Sequence, residues 1–229
     1  MTDKLNDVEI KTISILGGTG KEGKGLGYRW ANAGYNIIIG SRKREKAETA
    51  ATELRELCGE GKSILGLENP EAAQKCELAV LTVPFSAHVP MLESLKPYLK
   101  DKILVDVTVP LVPPKVTRVQ MPLAGSAGLE AKQILGNDTF VVSAFQNIAY
   151  EHLLSDEAVQ CDVLVSGEGK AVREKVLKLV SDAGMVGWDA GPLQNSVIAE
   201  GLTSILIGLN KQYGVESSGI QITGIPRPG

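Results

Sequence analysis

Through residues 12–140 the chain alternates short, almost continuous apolar runs with longer stretches in which apolar positions recur every three or four residues. The first pattern fits strands buried on both faces, and the second fits helices that cover them. Strands are expected at 12–16, 36–39, 63–66, 77–83, 103–107 and 140–144. Helices are expected over 21–33, 44–57, 70–75 and 91–99, and from the glycine- and proline-bearing stretch 115–136 up to about residue 134. In the third of these Pro70 suits a first helical position and Asn69 its cap. Further along, 162–166 reads as a strand and 171–183 as an amphipathic helix carrying Val172, Val176, Leu179 and Val180 on one face. A short strand at 185–190 and a long, largely apolar helix at 195–213 complete the pattern. Alternation of this kind predicts an α/β fold, a doubly wound parallel sheet with a smaller C-terminal α/β domain. The divisions expected are a polar leader (1–11), a nucleotide-binding domain (12–140) and the smaller domain (141–229), with a fraying tail at 226–229.

The first apolar run breaks into Gly17-Gly18-Thr19-Gly20-Lys21-Glu22-Gly23, which places G-x-G-x-x-G on Gly18, Gly20 and Gly23 between a strand and a helix. That context turns a weak motif into a dinucleotide cradle, because unpaired amides and the helix dipole at the turn point toward a pyrophosphate. Gly18 is expected to permit the tight turn, Gly20 the approach of phosphate to backbone, and Gly23 the packing of helix on strand.

A site that prefers NAD usually carries Asp or Glu at the end of the second strand, where the carboxylate holds the ribose 2′-hydroxyl. Here that place is Gly40, followed by Ser41, Arg42, Lys43 and Arg44, with Lys46 one turn beyond Arg42. Losing the acid removes repulsion toward a 2′-phosphate, and the Arg42 guanidinium supplies paired, charge-assisted bonds to it. With Ser41 donating a hydroxyl and Lys46 close to the same charge, the expected cofactor is NADP(H).

Composition narrows the remaining classes. A length of 229 residues, 43% hydrophobic and 22% charged, is ordinary for a water-soluble globular protein, and a net charge of −3 argues against a general nucleic-acid binder. No apolar run reaches the roughly 18 residues needed to cross a membrane, and the first residues are no secretory signal. A cytoplasmic location is therefore expected. Cys58, Cys76 and Cys161 are isolated and read as reduced thiols, and with His88 and His152 as the only histidines no metal is expected.

In doubly wound sheets ligands sit beyond the strand C-termini. Two such ends carry prolines, Thr82-Val83-Pro84-Phe85 and Thr108-Val109-Pro110, which turn the chain across the sheet edge and bring Val83, Pro84, Phe85 and Val109 toward a bound ring. The other reading of these residues is ordinary strand-end packing. His88 is the one acid–base candidate near this edge; the alternative is a half-exposed residue at a helix start. Asp106 and Asp189 lie inside strand-like runs and read as hydrogen-bonded structural acids.

The Leu16–Gly20 turn, Gly23-Lys24-Gly25-Leu26, the Gly40-Ser41-Arg42 step with Glu45-Lys46-Ala47, Leu81-Thr82-Val83-Pro84, and Asp189-Ala190-Gly191-Pro192-Leu193 with Asn195-Ser196 together resemble the NADPH-dependent F420 reductase family over about residues 12–223. The resemblance implies reversible hydride transfer between NADP(H) and the deazaflavin coenzyme F420 as co-substrate. It also implies that Thr19, Gly20, Lys21 and Glu22 line the pyrophosphate and that Ser41, Arg42 and Lys46 hold the 2′-phosphate. Phe85, Val89, Val109 and Ala149 would lie along the nicotinamide, with Gln146, Asn147, Ile148 and Thr203 against the deazaflavin. Gln146 stands where some members have histidine; an amide donates to a ring carbonyl but does not titrate near neutrality.

Hydride transfer between stacked rings depends on proximity and orientation, so no catalytic acid or base is required, and none is expected. Three other readings keep the NADP site: reduction of a flavin, delivery to ferric iron through a partner, and a module that senses NADPH without turnover. β-Hydroxyacid dehydrogenases and imine reductases begin with a similar domain but commonly add a much longer helical one. The apolar last helix is expected either to pack under the nucleotide domain or to form a subunit contact, and the expected partners are small redox coenzymes and a second copy in a homodimer, with neither nucleic acid nor membrane.

Overall fold

A computed structural model describes residues 9–155 and 158–227. The first eight residues of the expected leader and the last two of the expected tail lie outside the described residues. Eight strands form one sheet in the order β3-β2-β1-β4-β5-β6-β7-β8. They are β1 (Thr12–Leu16), β2 (Asn36–Ser41), β3 (Ile64–Glu68), β4 (Leu78–Leu81), β5 (Ile103–Asp106), β6 (Phe140–Ser143), β7 (Asp162–Gly167) and β8 (Val186–Gly191). The helices are α1 (Lys21–Asn32), α2 (Arg44–Cys58), α3 (Asn69–Lys75), α4 (Phe85–Leu95), α5 (Ala127–Leu135), α6 (Lys170–Asp182) and α7 (Ser196–Tyr213).

Alternate residues of each strand feed opposite faces. Ile13, Ile15, Ile37 and Ile39 pack with Leu26 and Trp30 of α1 and Leu54 of α2, a cluster that continues into Val172 and Val176 of α6. Leu16, Ile38, Leu81 and Leu104 pack on the other face with Leu92 and Leu95 of α4 and Ala131 and Leu135 of α5. The Trp30 indole donates to Leu179 O at 2.9 Å, which ties α1 to α6 across the two halves of the chain.

From β3 to β6 the strands are parallel in the 3-2-1-4-5-6 order of a dinucleotide-binding sheet. The all-parallel expectation fails at β7, which runs antiparallel to β6. The reason lies in the connection: between Ser143 and Asp162 the described chain contains one turn of 3-10 helix, Tyr150–His152, and no crossover helix of the kind a parallel partner needs. Only Val142↔Gly167 and Ser143↔Ser166 pair. The start of β7 therefore lies beyond the C-terminal end of β6, and β8, parallel to β7, extends that wall. β7 and β8 continue the same sheet in this way.

Two of the shifts from the expected bounds bear on the site. β2 extends to Ser41, so Gly40 lies inside the strand. α4 begins at Phe85, six residues before the expected start, and runs through Pro90; Ser86 and Pro90 are both exposed, so water can serve the carbonyl that a proline leaves unpaired. Arg227, in the tail expected to fray, is ion-paired with buried Asp162. No helix among the described residues is long and apolar enough to cross a membrane.

Candidate functional site

The turn after β1 is built on close contacts that exclude side chains at most of its positions. Gly17, not Gly18, takes the left-handed backbone (φ +71°), and a Cβ there would lie 2.5 Å from Val83 Cγ1. Gly18 is confined differently: its N–H donates to Ile15 O at 3.2 Å and Gly40 O at 3.0 Å, and a Cβ would meet Ile15 O at 2.6 Å. A Cβ on Gly23 would lie 2.6 Å from Gly18 Cα, so α1 sits directly on the turn. Gly20 is the opposite case. It caps α1 with φ −78° and ψ 171°, makes no side-chain cap bond, and a Cβ there meets nothing within 4 Å. The space in front of the first α1 amides is open, as a phosphate cradle requires.

Asn69 was expected to cap α3, but Glu68 occupies that position without a side-chain bond, and Asn69 is itself helical. Its buried amide instead accepts the Gly17 N–H at 3.0 Å, fixing the turn from β3. A Cβ on Gly40 would lie 2.6 Å from Asn69 Oδ1, so glycine at that position is required by the turn as well as by the absence of a ribose acid.

Ser41 is buried at the end of β2, its Oγ 3.4 Å from the Lys43 N–H, while Arg42 and Lys46 are exposed beside it. Arg44 is engaged by Glu71 and lies 3.8 Å from Glu48. Arg42, Lys43 and Lys46 carry no ion pair among the described residues, so the cationic charge left at this corner is theirs. On the far side of the turn Lys21 Nζ lies over the Tyr150 ring, 4.9 Å from its centroid. Thr19 is half-buried between these two corners.

Val83 touches the turn through Gly17, Pro84 caps α4, and half-buried Phe85 follows as its first residue. Val89 is exposed one turn later, and Val109 and Ala149 are half-buried on the segments that leave β5 and β6. All of these lie past strand C-termini.

Beyond β6 the chain is bent by Phe145, a buried aromatic at φ +74° packed edge-to-face on Trp30. This bend carries Gln146, Asn147 and Ile148, each buried, across to α7. Asn147 Nδ2 donates to Ala199 O and to Thr203 Oγ1, whose hydroxyl donates in turn to Gln146 O. The donor role expected of Gln146 is taken within the protein: Nε2 donates to Asp106 O and Ser143 Oγ, both at 2.8 Å. Its Oε1, with Thr108 Oγ1 and Ser166 Oγ, is one of the buried atoms left without a partner among the described residues, and it can accept only from an N–H or O–H.

His88 is neither a half-exposed helix-start residue nor open to a ligand. It is fully buried, with Nε2 2.8 Å from Asp106 Oδ2 and Nδ1 2.9 Å from Glu130 Oε2. Asp106 is thus a structural acid, as is Asp189, which pairs with Arg173. The buried Glu200 of α7 accepts the Ala127 and Gly128 N–H groups at 2.6 and 3.1 Å and so closes the N-terminus of α5. Sequence reasoning missed Asn69, Glu130 and Glu200, whose contacts span 42 to 73 positions.

Two carboxyls are raised: Glu22 to about 8 by burial, and Glu200 to about 7 by burial and then by the charge of Asp106, against the pull of its two amides. Acids raised above their usual 4.5 favour the folded state fully below that value and lose this contribution as pH climbs through the folded pKa. Thermal stability is therefore expected to fall between about pH 4.5 and about 8. Glu22→Gln should flatten that slope in melting curves; an unaltered slope would refute the assignment to Glu22.

Hollows of about 400 and 570 Å³ lie away from this edge. The smaller is bordered by the pairs Lys132–Glu168 and Arg173–Asp189, and the larger by Lys178–Asp182. Their charges already satisfy one another, whereas the strand C-terminal edge offers open amides, free cations and an orphaned amide oxygen.

A family model described as NADP oxidoreductase, coenzyme F420-dependent, matches residues 12–110. The protein named F420-dependent NADP reductase of Methanocaldococcus jannaschii is 40% identical over 93% of this chain and 98% of its own length. The one of that name from Methanothermobacter thermautotrophicus is 38% identical over 96% and 97%. A solved structure from Arthrobacter sp. FB24 superposes with a TM-score of 0.76 over 94% of this chain and all of its own, and at 20% identity it bears on the fold alone.

Proposed function

The chain belongs to the F420-dependent NADP reductase family, and on that premise we propose that it transfers a hydride reversibly between NADP(H) and coenzyme F420. The observation that carries this is identity near 40% along essentially the whole of relatives bearing that name. The site chemistry agrees with it. One ring donates a hydride and the other accepts it; the protein has to bind both, stack them and keep water out.

Gly18, Thr19, Gly20, Lys21, Glu22 and Gly23 form the pyrophosphate seat, and Ser41, Arg42 and Lys46 the 2′-phosphate seat. Val83, Pro84, Phe85, Val89, Val109 and Ala149 give the nicotinamide an apolar wall. Gln146, Asn147, Ile148 and Thr203 face the deazaflavin, with Gln146 Oε1 as the acceptor that orients it. In this division residues 12–140 hold NADP(H) and residues 141–229 supply the opposite side of the cleft. We assign the protein to the cytoplasm and to a homodimer. Ile198, Ile205, Leu209 and Tyr213 form an exposed stripe at helical spacing along α7 that a second copy would cover.

The test is anaerobic mixing with NADPH and oxidised F420, following loss of the deazaflavin's visible absorbance, with NADH as control donor and the mass of the sample taken by light scattering. Rapid bleaching with NADPH and slow bleaching with NADH is expected. Tight NADPH binding without bleaching would overturn the acceptor, and a monomer mass would overturn the dimer.

A further inference from the structure

Four titratable groups cluster next to Gln146 of the proposed ring site. His88 comes from α4, Asp106 from the end of β5, Glu130 from α5 and Glu200 from α7. The Glu200 carboxyl feels the charges of both Asp106 and His88. Each nitrogen of the His88 ring faces a carboxylate oxygen. A neutral imidazole donates from one nitrogen only, so both contacts are satisfied when the ring carries two protons.

Asp106 is the hub of this cluster. Its Oδ2 meets His88, its Oδ1 accepts the Thr108 N–H at 3.0 Å, and its backbone oxygen accepts Gln146 Nε2 at 2.8 Å. His88 in turn stacks on Phe85, with ring centroids 5.9 Å apart and planes at 29°. The buried His88–Asp106 pair therefore links Phe85 on α4, the segment that carries Val109, and the Gln146 loop.

We propose that His88 is a positioning residue for hydride transfer: held on Asp106, it sets Phe85 and Val109 in fixed relation to Gln146 and so fixes the spacing of the two reacting rings. This rests on the hydride-transfer reading above. Burial acts to lower the pKa of the ring, but hydrogen bonds and charge, from Asp106 first and then Glu130, outweigh it and the value is raised. Above the raised pKa the neutral ring has one proton to share between Asp106 and Glu130, so the Asp106 contact is kept only in part and positioning weakens as pH rises through that value.

The two amide replacements separate the contacts. His88→Gln places a donor near the Nε2 position and keeps the bond to Asp106, whereas His88→Asn reaches only toward Glu130. In single-turnover mixing with NADPH and F420, His88→Gln should stay close to the unaltered rate and lose its alkaline decline. His88→Asn should fall about 100-fold, the scale of a misplacement near 1 Å, with the NADPH dissociation constant unchanged. Glu130→Gln, at a partly exposed position, should move the alkaline decline to lower pH. Equal losses in the two His88 variants, weakened NADPH binding in step with the rate, or an unmoved decline in Glu130→Gln would each overturn the proposal. Should His88→Asn fail to fold, Glu130→Gln decides. Absence of transfer in the unaltered protein would overturn the parent reading and this one with it; transfer without the expected pattern overturns this one alone.

Discussion

Gly20→Ala is expected to abolish tight NADPH binding while leaving the melting temperature where it is, and Gly23→Ala to lower both. The two glycines stand two and five residues from Gly18 in opposite surroundings. At Gly20 the backbone is in a region open to any L residue, and a methyl group there meets no atom of the described residues beyond its chain neighbours within 4 Å. Nothing in the unliganded fold opposes the substitution. The methyl would occupy the space through which a pyrophosphate reaches the first amides of α1, and loss of those contacts is expected to weaken NADPH and NADH alike by about 100-fold or more. At Gly23 the same methyl would lie 2.6 Å from Gly18 Cα and 2.9 Å from Gly18 O. Those are backbone atoms anchored by the Gly18 N–H bonds to Ile15 and Gly40, so the turn itself has to move, at a cost of about 1–3 kcal/mol. Calorimetric melts beside titration with both nucleotides distinguish the cases. A destabilised Gly20→Ala chain, or one that binds NADPH normally, would remove Gly20 from the cradle.

What could be read from the sequence follows how local the determining physics is. β1 is set by five consecutive residues and its bounds come out as expected, and the glycine spacing places the turn because strand, turn and helix are contiguous. The left-handed backbone of Gly17 has no local signal, since which glycine turns over depends on Val83 approaching from the end of β4. Asn69 was misread for the same reason: its neighbours suggest a helix cap, and its actual partner lies 52 positions away. His88 was visible as a histidine near a strand end, but its burial between Asp106 and Glu130 arises from α4 starting early and turning that side inward. The reversal at β7 did have a signal, the lack of any crossover helix among the described residues between Ser143 and Asp162, which favours an antiparallel neighbour. Gln146 was identified as a site residue from a motif; only the hydrogen-bond count shows that its free atom is the oxygen.

Arg42→Ala should weaken NADPH by about 1–3 kcal/mol, about 5- to 150-fold, and leave NADH nearly unchanged. Three observations converge on this residue. Gly40 cannot be replaced by an acid without striking Asn69, so the carboxylate that would select a free 2′-hydroxyl is excluded from that position by the turn's own packing. Arg44, the other guanidinium nearby, is held by Glu71. Arg42, Lys43 and Lys46 remain as exposed cations without an ion pair among the described residues, and of these only Arg42 offers a planar fork to a phosphate. Arg42→Lys should therefore recover part of the loss, since it keeps the charge but not the paired geometry. Because the contact is solvent-exposed, the preference for NADPH should also narrow as salt rises. Titration of both nucleotides against Arg42→Ala at two ionic strengths is decisive: an equal loss for NADH would mean that Arg42 acts on something the two nucleotides share, and the 2′-phosphate assignment would fall with it.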